Sequence, residues 1–233
     1  MRRARRHGRG LFVAAASVAA LTLAGCHTTQ TFGGGPVVQE ERSAPNGDAL
    51  RRVAVVPFHF ADSLRAQLIP DRDQPPSERD NATVVETFFA DVLAGEGVGV
   101  IPPSEVESAA TAEGGAVPRV DPRAAIDLAS RRFEATGVIL GRVTRFRERV
   151  GGAAGAMSPA SVAFEASLFD VRSGTRIWRG RFDLTQQSLT ANVVRARQLP
   201  GGGTRWLSAS ELARWGAEQM VRQLLADTPP SEP

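Results

Sequence analysis

SLFDVRSGTRIWRGRF, residues 167–182, decides the fold. On both sides of Ser173-Gly174 the pattern has period two, the mark of a strand with one buried face. A tight turn at Ser173-Gly174 makes the two strands antiparallel neighbours. Working outward, the pair reads as strands 161–171 and 175–185. A third strand, 138–149, reaches the first of them through the linker Gly151 to Pro159. The C-terminal half is therefore an antiparallel meander.

The region upstream has a different rhythm. Arg52-Val53-Ala54-Val55-Val56-Pro57-Phe58 is a short apolar run closed by proline, the pattern of a strand buried on both faces. A loop rich in turn formers follows, through DRDQPPSERD, residues 71–80. Ser77-x-x-Asp80 then resembles a capping box ahead of Val84, Val85, Phe88, Phe89, Val92 and Leu93, one face of a helix that stops at Gly95. Val98 to Ile101 is a second short strand, ended by Pro102-Pro103. Ser104-x-x-Glu107 opens an alanine-rich helix in the same manner. Asp121-Pro122 is an N-cap with proline at N1, starting a helix with Ala125, Ile126, Ala129 and Phe133 that ends near Gly137. Downstream of the meander, Ser208-x-x-Glu211 caps a helix carrying Leu212, Trp215, Ala217, Met220, Val221, Leu224 and Leu225. The order is β-α-β-α-α-β-β-β-α. Helical crossovers between the early strands imply a parallel start, so the expected class is α/β (α+β), a mixed sheet with helices covering it.

The N-terminus has another character. MRRARRHGRG places five arginines ahead of LFVAAASVAALTL, residues 11–23. Thirteen residues of helix span about 20 Å, short of the ~30 Å hydrocarbon core. A basic segment, a short apolar segment and small residues before a cut form a secretory leader. The single cysteine of the chain, Cys26, comes directly after it. Alone, it could be a nucleophile, a metal ligand, half of an intermolecular disulfide, a core thiol or an attachment point. Leu23-Ala24-Gly25-Cys26 resembles the lipobox of bacterial lipoproteins. That resemblance implies cleavage before Cys26, diacylglycerol on its sulfur and an N-acyl chain on the new terminus, with no other cofactor. More than one acyl chain makes anchoring stable. His27, in place of Asp, implies the outer membrane by resemblance to sorting in enteric bacteria.

The expected organisation is a leader over 1–25, a lipid-anchored tether over 26–50, one periplasmic domain over 51–227 and a frayed tail over 228–233. Residues 27–50 are rich in Gly, Pro, Thr and charge, with no apolar period. The full chain carries 28 basic and 25 acidic side chains, and the leader takes five of the basic ones with it. The remainder is slightly acidic. Its arginines are scattered and tyrosine is absent, so no nucleic-acid footprint is visible.

Across residues 51–185 the segments line up with one known arrangement. Gly137, Val138, Gly141 and Val143 form a G-V-x-x-x-G-x-V strand, and Asp170, Ser173, Gly174 and Trp178 form a D-x-x-S-G turn into a Trp-bearing strand. Behind RVAVVPF and two helices, this resembles the domain shared by the TolB amino-terminal region, the curli-secretion channel lipoprotein and Pel-export-type lipoproteins. The resemblance implies an accessory role at the envelope, in secretion, polysaccharide export, lipoprotein assembly or activation of wall synthases. The segment DLTQQSLTANVV and the later WLSASELARWG fit none of these closely.

Candidate chemistry is sparse. His59 lies near Asp62 and Ser63, but no G-x-S-x-G, H-E-x-x-H or phosphate loop is present. Asp71, Asp73, Glu78 and Asp80 lack the spacing of a calcium loop and read as a solvated loop. Gly201-Gly202-Gly203 reads as a flexible turn. The meander carries Arg142, Arg145, Arg147, Arg149, Arg176, Arg179 and Arg181, with Glu148, Glu165 and Asp183 available to pair. One reading is a solvated face with cross-strand ion pairs. The other is a surface for an anionic or protein partner, contacted through Arg145, Arg147, Arg179, Arg181 and Trp206. Trp178 reads as core.

Three functional readings remain. The leading one is a non-catalytic binding, assembly or regulatory factor, anchored to the membrane by lipid and facing an envelope protein or polysaccharide-export partner. The second is a homo-oligomeric ring of an export system. GGAAGAMSPA is too short for a pair of membrane-crossing strands, which need about 9–11 residues each, so a pore is disfavoured. The third, an enzyme, has only His59 as a focused candidate.

Overall fold

The computed structural model describes residues 38–61, 76–187 and 197–226. The fold is α+β with a mixed seven-stranded sheet, as the periodicities indicate. The strands are β1 (Val38–Arg42), β2 (Arg52–Val55), β3 (His59–Phe60), β4 (Gly99–Ile101), β5 (Gly137–Arg147), β8 (Ser161–Asp170) and β9 (Thr175–Thr185). A separate small hairpin comprises β6 (Val150–Gly151) and β7 (Ala156–Ser158). The helices are α1 (Pro76–Gly95), α2 (Pro103–Ala112), α3 (Pro122–Phe133) and α4 (Ala209–Leu225).

The sheet order is β1-β9-β8-β5-β2-β4, with β3 continuing beside β5 beyond the end of β2. β2 runs parallel to both β4 and β5, and β5, β8, β9 and β1 are antiparallel. The parallel start and the meander agree with the sequence. β2 is buried on both faces because its side chains alternate between two cores. Val53 and Val55 join the larger core with α1 and α4, whereas Ala54 and Val56 join a smaller one with α2 and α3. The larger core is layered by Phe164, Phe182 and Trp215, whose ring centroids stack 5.3 and 6.0 Å apart. Trp178 is fully buried there, as expected.

The glycines of the β5 motif have a packing reason. A Cβ on Gly141 would lie 2.2 Å from the Phe58 ring, and one on Gly137 would lie 2.1 Å from the Ala49 carbonyl. At the β8–β9 turn the Asp170 carboxylate accepts the Ser173 N–H at 2.9 Å, and the Asp170 carbonyl accepts the Gly174 N–H at 2.9 Å.

Several expectations are corrected. The tether does not extend to residue 50. Residues 38–42 form β1, an edge strand on β9, followed by a short 3-10 helix over Gly47–Leu50. Val38, Asn46, Ala49 and Leu50 are buried. The Asn46 amide donates to the Leu224 carbonyl at 2.5 Å and Arg42 donates to the Gln223 carbonyl at 3.0 Å, so this segment closes the C-terminal end of α4. A three-dimensional partner supplies the apolar period that the segment lacks in one dimension. The first two capping boxes are also absent. α1 starts at Pro76, so Ser77 sits inside it. α2 starts at Pro103 behind an extended Pro102 that makes no side-chain cap. The other two caps are as read. Asp121 accepts from the Arg123 and Ala124 N–H groups, and Ser208 with Glu211 forms a reciprocal capping box. The triple glycine belongs to a 3-10 turn over Pro200–Gly203, and the linker between β5 and β8 contains the β6–β7 hairpin.

Part of the segment after β9 is explained by Gln186. Its side chain donates to the Arg205 carbonyl at 2.8 Å and accepts the Leu207 N–H at 2.8 Å, fixing residues 205–207 against the sheet end. The leader, Cys26, Asp62, Ser63, Asp71, Asp73 and the tail from 228 lie outside the described residues.

Candidate functional site

Among the described residues the two sheet faces are covered unequally. α1 and α4 cover the larger core from end to end, but α2 and α3 cover only β4, β2 and the first half of β5 on the other side. On that side the rest of β5, β8, β9 and β1 carries a lattice of charged side chains.

Two irregularities place these charges together. In β5 the register shifts between Val143 and Arg145, leaving Thr144 as the extra residue. In β9 it shifts opposite Leu168 and Phe169, leaving Ile177 as the extra residue. A bulge advances the alternation by one residue and re-aims the side chains beyond it. Arg142 therefore shares a face with Arg145 and Arg147, although strict alternation would separate them. Arg176 likewise shares a face with Arg179 and Arg181.

Glu165 of β8 lies at the centre, its side chain only 8 % exposed. It is opposite Arg142 on one side and Arg181 on the other. Arg142 donates to its Oε2 through Nε at 3.1 Å and Nη2 at 2.9 Å, and Arg179 donates through Nη2 at 2.6 Å. Arg181 reaches Oε1 at 3.5 Å. Burial pushes the Glu165 carboxyl up, but the Arg179 hydrogen bond and the Arg142 and Arg179 charges together outweigh it and hold the group below the usual range. Asp183 has the same balance: burial raises it, and the hydrogen bonds from Arg145 and Arg181 bring it down. Arg145 pairs with Asp183 and donates to Ser161 Oγ at 2.6 Å, and Arg181 donates to Asp183 at 3.1 Å. Four guanidinium groups thus share two carboxylates, leaving an excess of positive charge on the open face.

The sequence-derived contact residues divide accordingly. Arg145, Arg179 and Arg181 belong to this lattice. Arg147 is exposed on the same face, further along β5. Trp206 does not join them: it is half-buried beside the β6–β7 hairpin, where its N–H donates to the Ala153 carbonyl at 2.8 Å and its carbonyl accepts from Arg149 at 3.2 Å. Glu148, expected to pair with an arginine, accepts the Ala209 N–H at 3.0 Å in the first turn of α4 instead.

A hollow of about 340 Å³ opens where this lattice meets the α2–α3 connection. Arg119, Arg142, Arg176, Arg179, His59 and Ser167 line it, over Leu140 and Phe169. Arg119 carried no sequence signal, because the fold alone brings the α2–α3 connection to the sheet. Glu86 was missed as well. It lies on the core-facing side of α1, only 7 % exposed, and accepts the Phe58 N–H at 2.5 Å. Burial pushes its carboxyl up to about 7, against the lowering effects of the Phe58 N–H and the Arg119 charge.

Among the described residues there is no group of three or more His, Cys, Asp or Glu side chains that could hold a metal ion. No described helix is long and apolar enough to cross a membrane.

Among the described residues, fold and surface define an α+β domain with one sheet face closed by helices and the other half open and arginine-rich. No protein-family model matches the chain, and no curated protein matches it. Among solved structures it is similar to the PelC dodecamer from Paraburkholderia phytofirmans, at 17% identity and TM-score 0.47, over 82% of this chain and 97% of that one. It is similar to lipoprotein GNA1162 from Neisseria meningitidis, at 18% identity and TM-score 0.41, over 58% and 82%. The LpoB C-terminal domain from Salmonella enterica is 16% identical with TM-score 0.37, over 61% and 88%.

Proposed function

We propose that this chain is a lipid-anchored envelope protein that acts by binding and not by catalysis. Cys26 carries the diacylglycerol and N-acyl groups, residues 26–37 link it to the domain, and the domain faces the periplasm from the outer membrane. Its open sheet face engages an envelope protein, through Arg145, Arg147, Arg179 and Arg181. The observation that carries this reading is the uncovered lattice in which four guanidiniums share two carboxylates. A solvated ion-pair lattice needs no such surplus, whereas an interface that selects an acidic partner does. The lipobox residues Leu23, Ala24 and Gly25 ahead of Cys26 support the anchor.

Two measurements test this. Cells fed an alkyne fatty acid should label the wild-type protein and leave Cys26→Ser unlabelled and released from the membrane fraction. A photo-crosslinking residue at position 147 or 181 should capture a discrete envelope protein, and the same residue at Glu105 on the far side of α2 should not. Labelling of the serine variant would remove the anchor, and equal capture from all three positions would remove the partner face.

A further inference from the structure

The hollow beside the α2–α3 connection has a chemistry of its own. Its position follows from topology. The crossover β2–α1–β4 places its helix on one face of the sheet, and the crossover β4–α2–α3–β5 places its helices on the other. The direction of winding therefore reverses at β2. β2 ends at Val55, opposite Ile139, and β3 takes its place beside β5 from His59, opposite Arg142, so the hollow lies on the sheet face over β5, β8 and β9, where the cover given by α2 and α3 stops.

Its lining is selective. Arg142 and Arg179 are held from one side by Glu165. Arg119 is held by Glu107 at 3.3 Å and Arg176 by Glu41 at 3.5 Å. Each of the four is thus paired with a carboxylate through its Nη2. None of the four Nη1 groups makes a hydrogen bond to another described residue. Guanidiniums with spare donors match the planar, two-oxygen geometry of a carboxylate. Leu140 and Phe169 supply a half-buried apolar floor. The volume is at the lower end of small-molecule sites.

We propose that this hollow binds a carboxylate borne on a small ring, the chemistry of a hexuronic acid. The carboxylate meets the guanidiniums of Arg119, Arg142, Arg176 and Arg179, and the ring rests on Phe169 and Leu140 with Ser167 available to a ring hydroxyl. This goes beyond the partner-face reading and stands whether or not Cys26 is acylated.

The test is calorimetric titration of the full detergent-solubilised chain with sodium glucuronate, with glucose and inorganic phosphate as the neutral and the non-planar controls. Glucuronate should saturate one site and glucose should give no binding. The double substitution Arg119→Ala with Arg176→Ala should weaken glucuronate by about tenfold or more. Arg222→Ala, on the far side of α4, should leave it unchanged. Melting curves establish that the variants fold. Arg119→Gln alone, confined to a connection, should cost about threefold and keeps the test valid if the double variant does not fold. No saturable glucuronate binding, unchanged affinity in the arginine variants, equal binding of glucose, or binding of phosphate in preference to glucuronate would each overturn the proposal.

Discussion

Two carboxylates set the behaviour of the domain at the scale of single residues, with opposite signs. Glu86 ionises at about 7 in the folded protein and near its ordinary 4.5 in the unfolded chain. Between these values the folded state holds a proton that the unfolded state has released, so stability falls as the pH rises through that window. Glu86→Gln should keep the acceptor for the Phe58 N–H, abolish this slope, and raise stability at pH 8 by about 2 kcal/mol. Melting temperatures of both proteins at pH 5 and pH 8 decide it, and an unchanged slope in the variant would assign the effect elsewhere. Glu165 and Asp183 act the other way, because their folded values lie below the ordinary 4.5 and 3.8. Their contribution is present above those ordinary values and is lost as the pH falls through the lowered ones. Glu165→Ala strands Arg142, Arg179 and Arg181 around an empty position. Because those guanidiniums are 35–49 % exposed, the loss should be about 2 kcal/mol and not the larger cost of a fully buried pair. Urea titration at pH 7 measures it directly.

At the scale of elements, the two bulges do what no single side chain does. Thr144 and Ile177 each advance a strand by one residue and gather arginines that strict alternation would divide between core and solvent. Inserting one alanine after Thr144 should turn Arg145 and Arg147 toward the larger core and lower stability by at least about 3 kcal/mol. Thr144→Ala, which keeps the number of residues, should cost less than about 1 kcal/mol. Denaturant midpoints of the two variants separate the change of phase from loss of the hydroxyl. Comparable losses would mean that the register does not depend on the single extra residue. Ser208 offers a second, smaller check, since Ser208→Ala removes one half of the reciprocal cap on α4 and should cost about 1 kcal/mol.

At the scale of the whole molecule, the domain begins before residue 51. A chain starting at residue 51 lacks β1 and the buried Val38, Ala49 and Leu50, and exposes the β9 edge and the α4 C-terminus. It should be less stable than a chain starting at residue 38 by at least about 3 kcal/mol. Equal melting temperatures for the two would refute the revised boundary. Light scattering of the detergent-extracted protein then separates the two binding readings. A monomer or dimer fits a tethered regulator, and a closed ring of many copies would replace it with an oligomeric export component.

Much of this architecture is legible in the residues alone. RVAVVPF reads as a strand buried on both faces because every position after the arginine is apolar, and β2 alternates between two cores. The Asp121-Pro122 and Ser208-x-x-Glu211 signatures work because a cap needs only its own first turn. The two other Ser-x-x-acid matches fail because prolines at 76 and 103 start the helices elsewhere. Segment 38–50 is hidden because its partners lie far along the chain, on β9 and α4 for residues 38–46 and on β5 for the turn over Gly47–Leu50. The sequence by itself determined the mixed sheet, its helices, the meander and the identity of the charged residues, since periodicity and turn chemistry are local. Only the tertiary structure decided which of those charges share a face and that Arg119 joins them. Bulges change the phase of a strand without changing its composition, and a crossover brings a loop to a sheet from far along the chain.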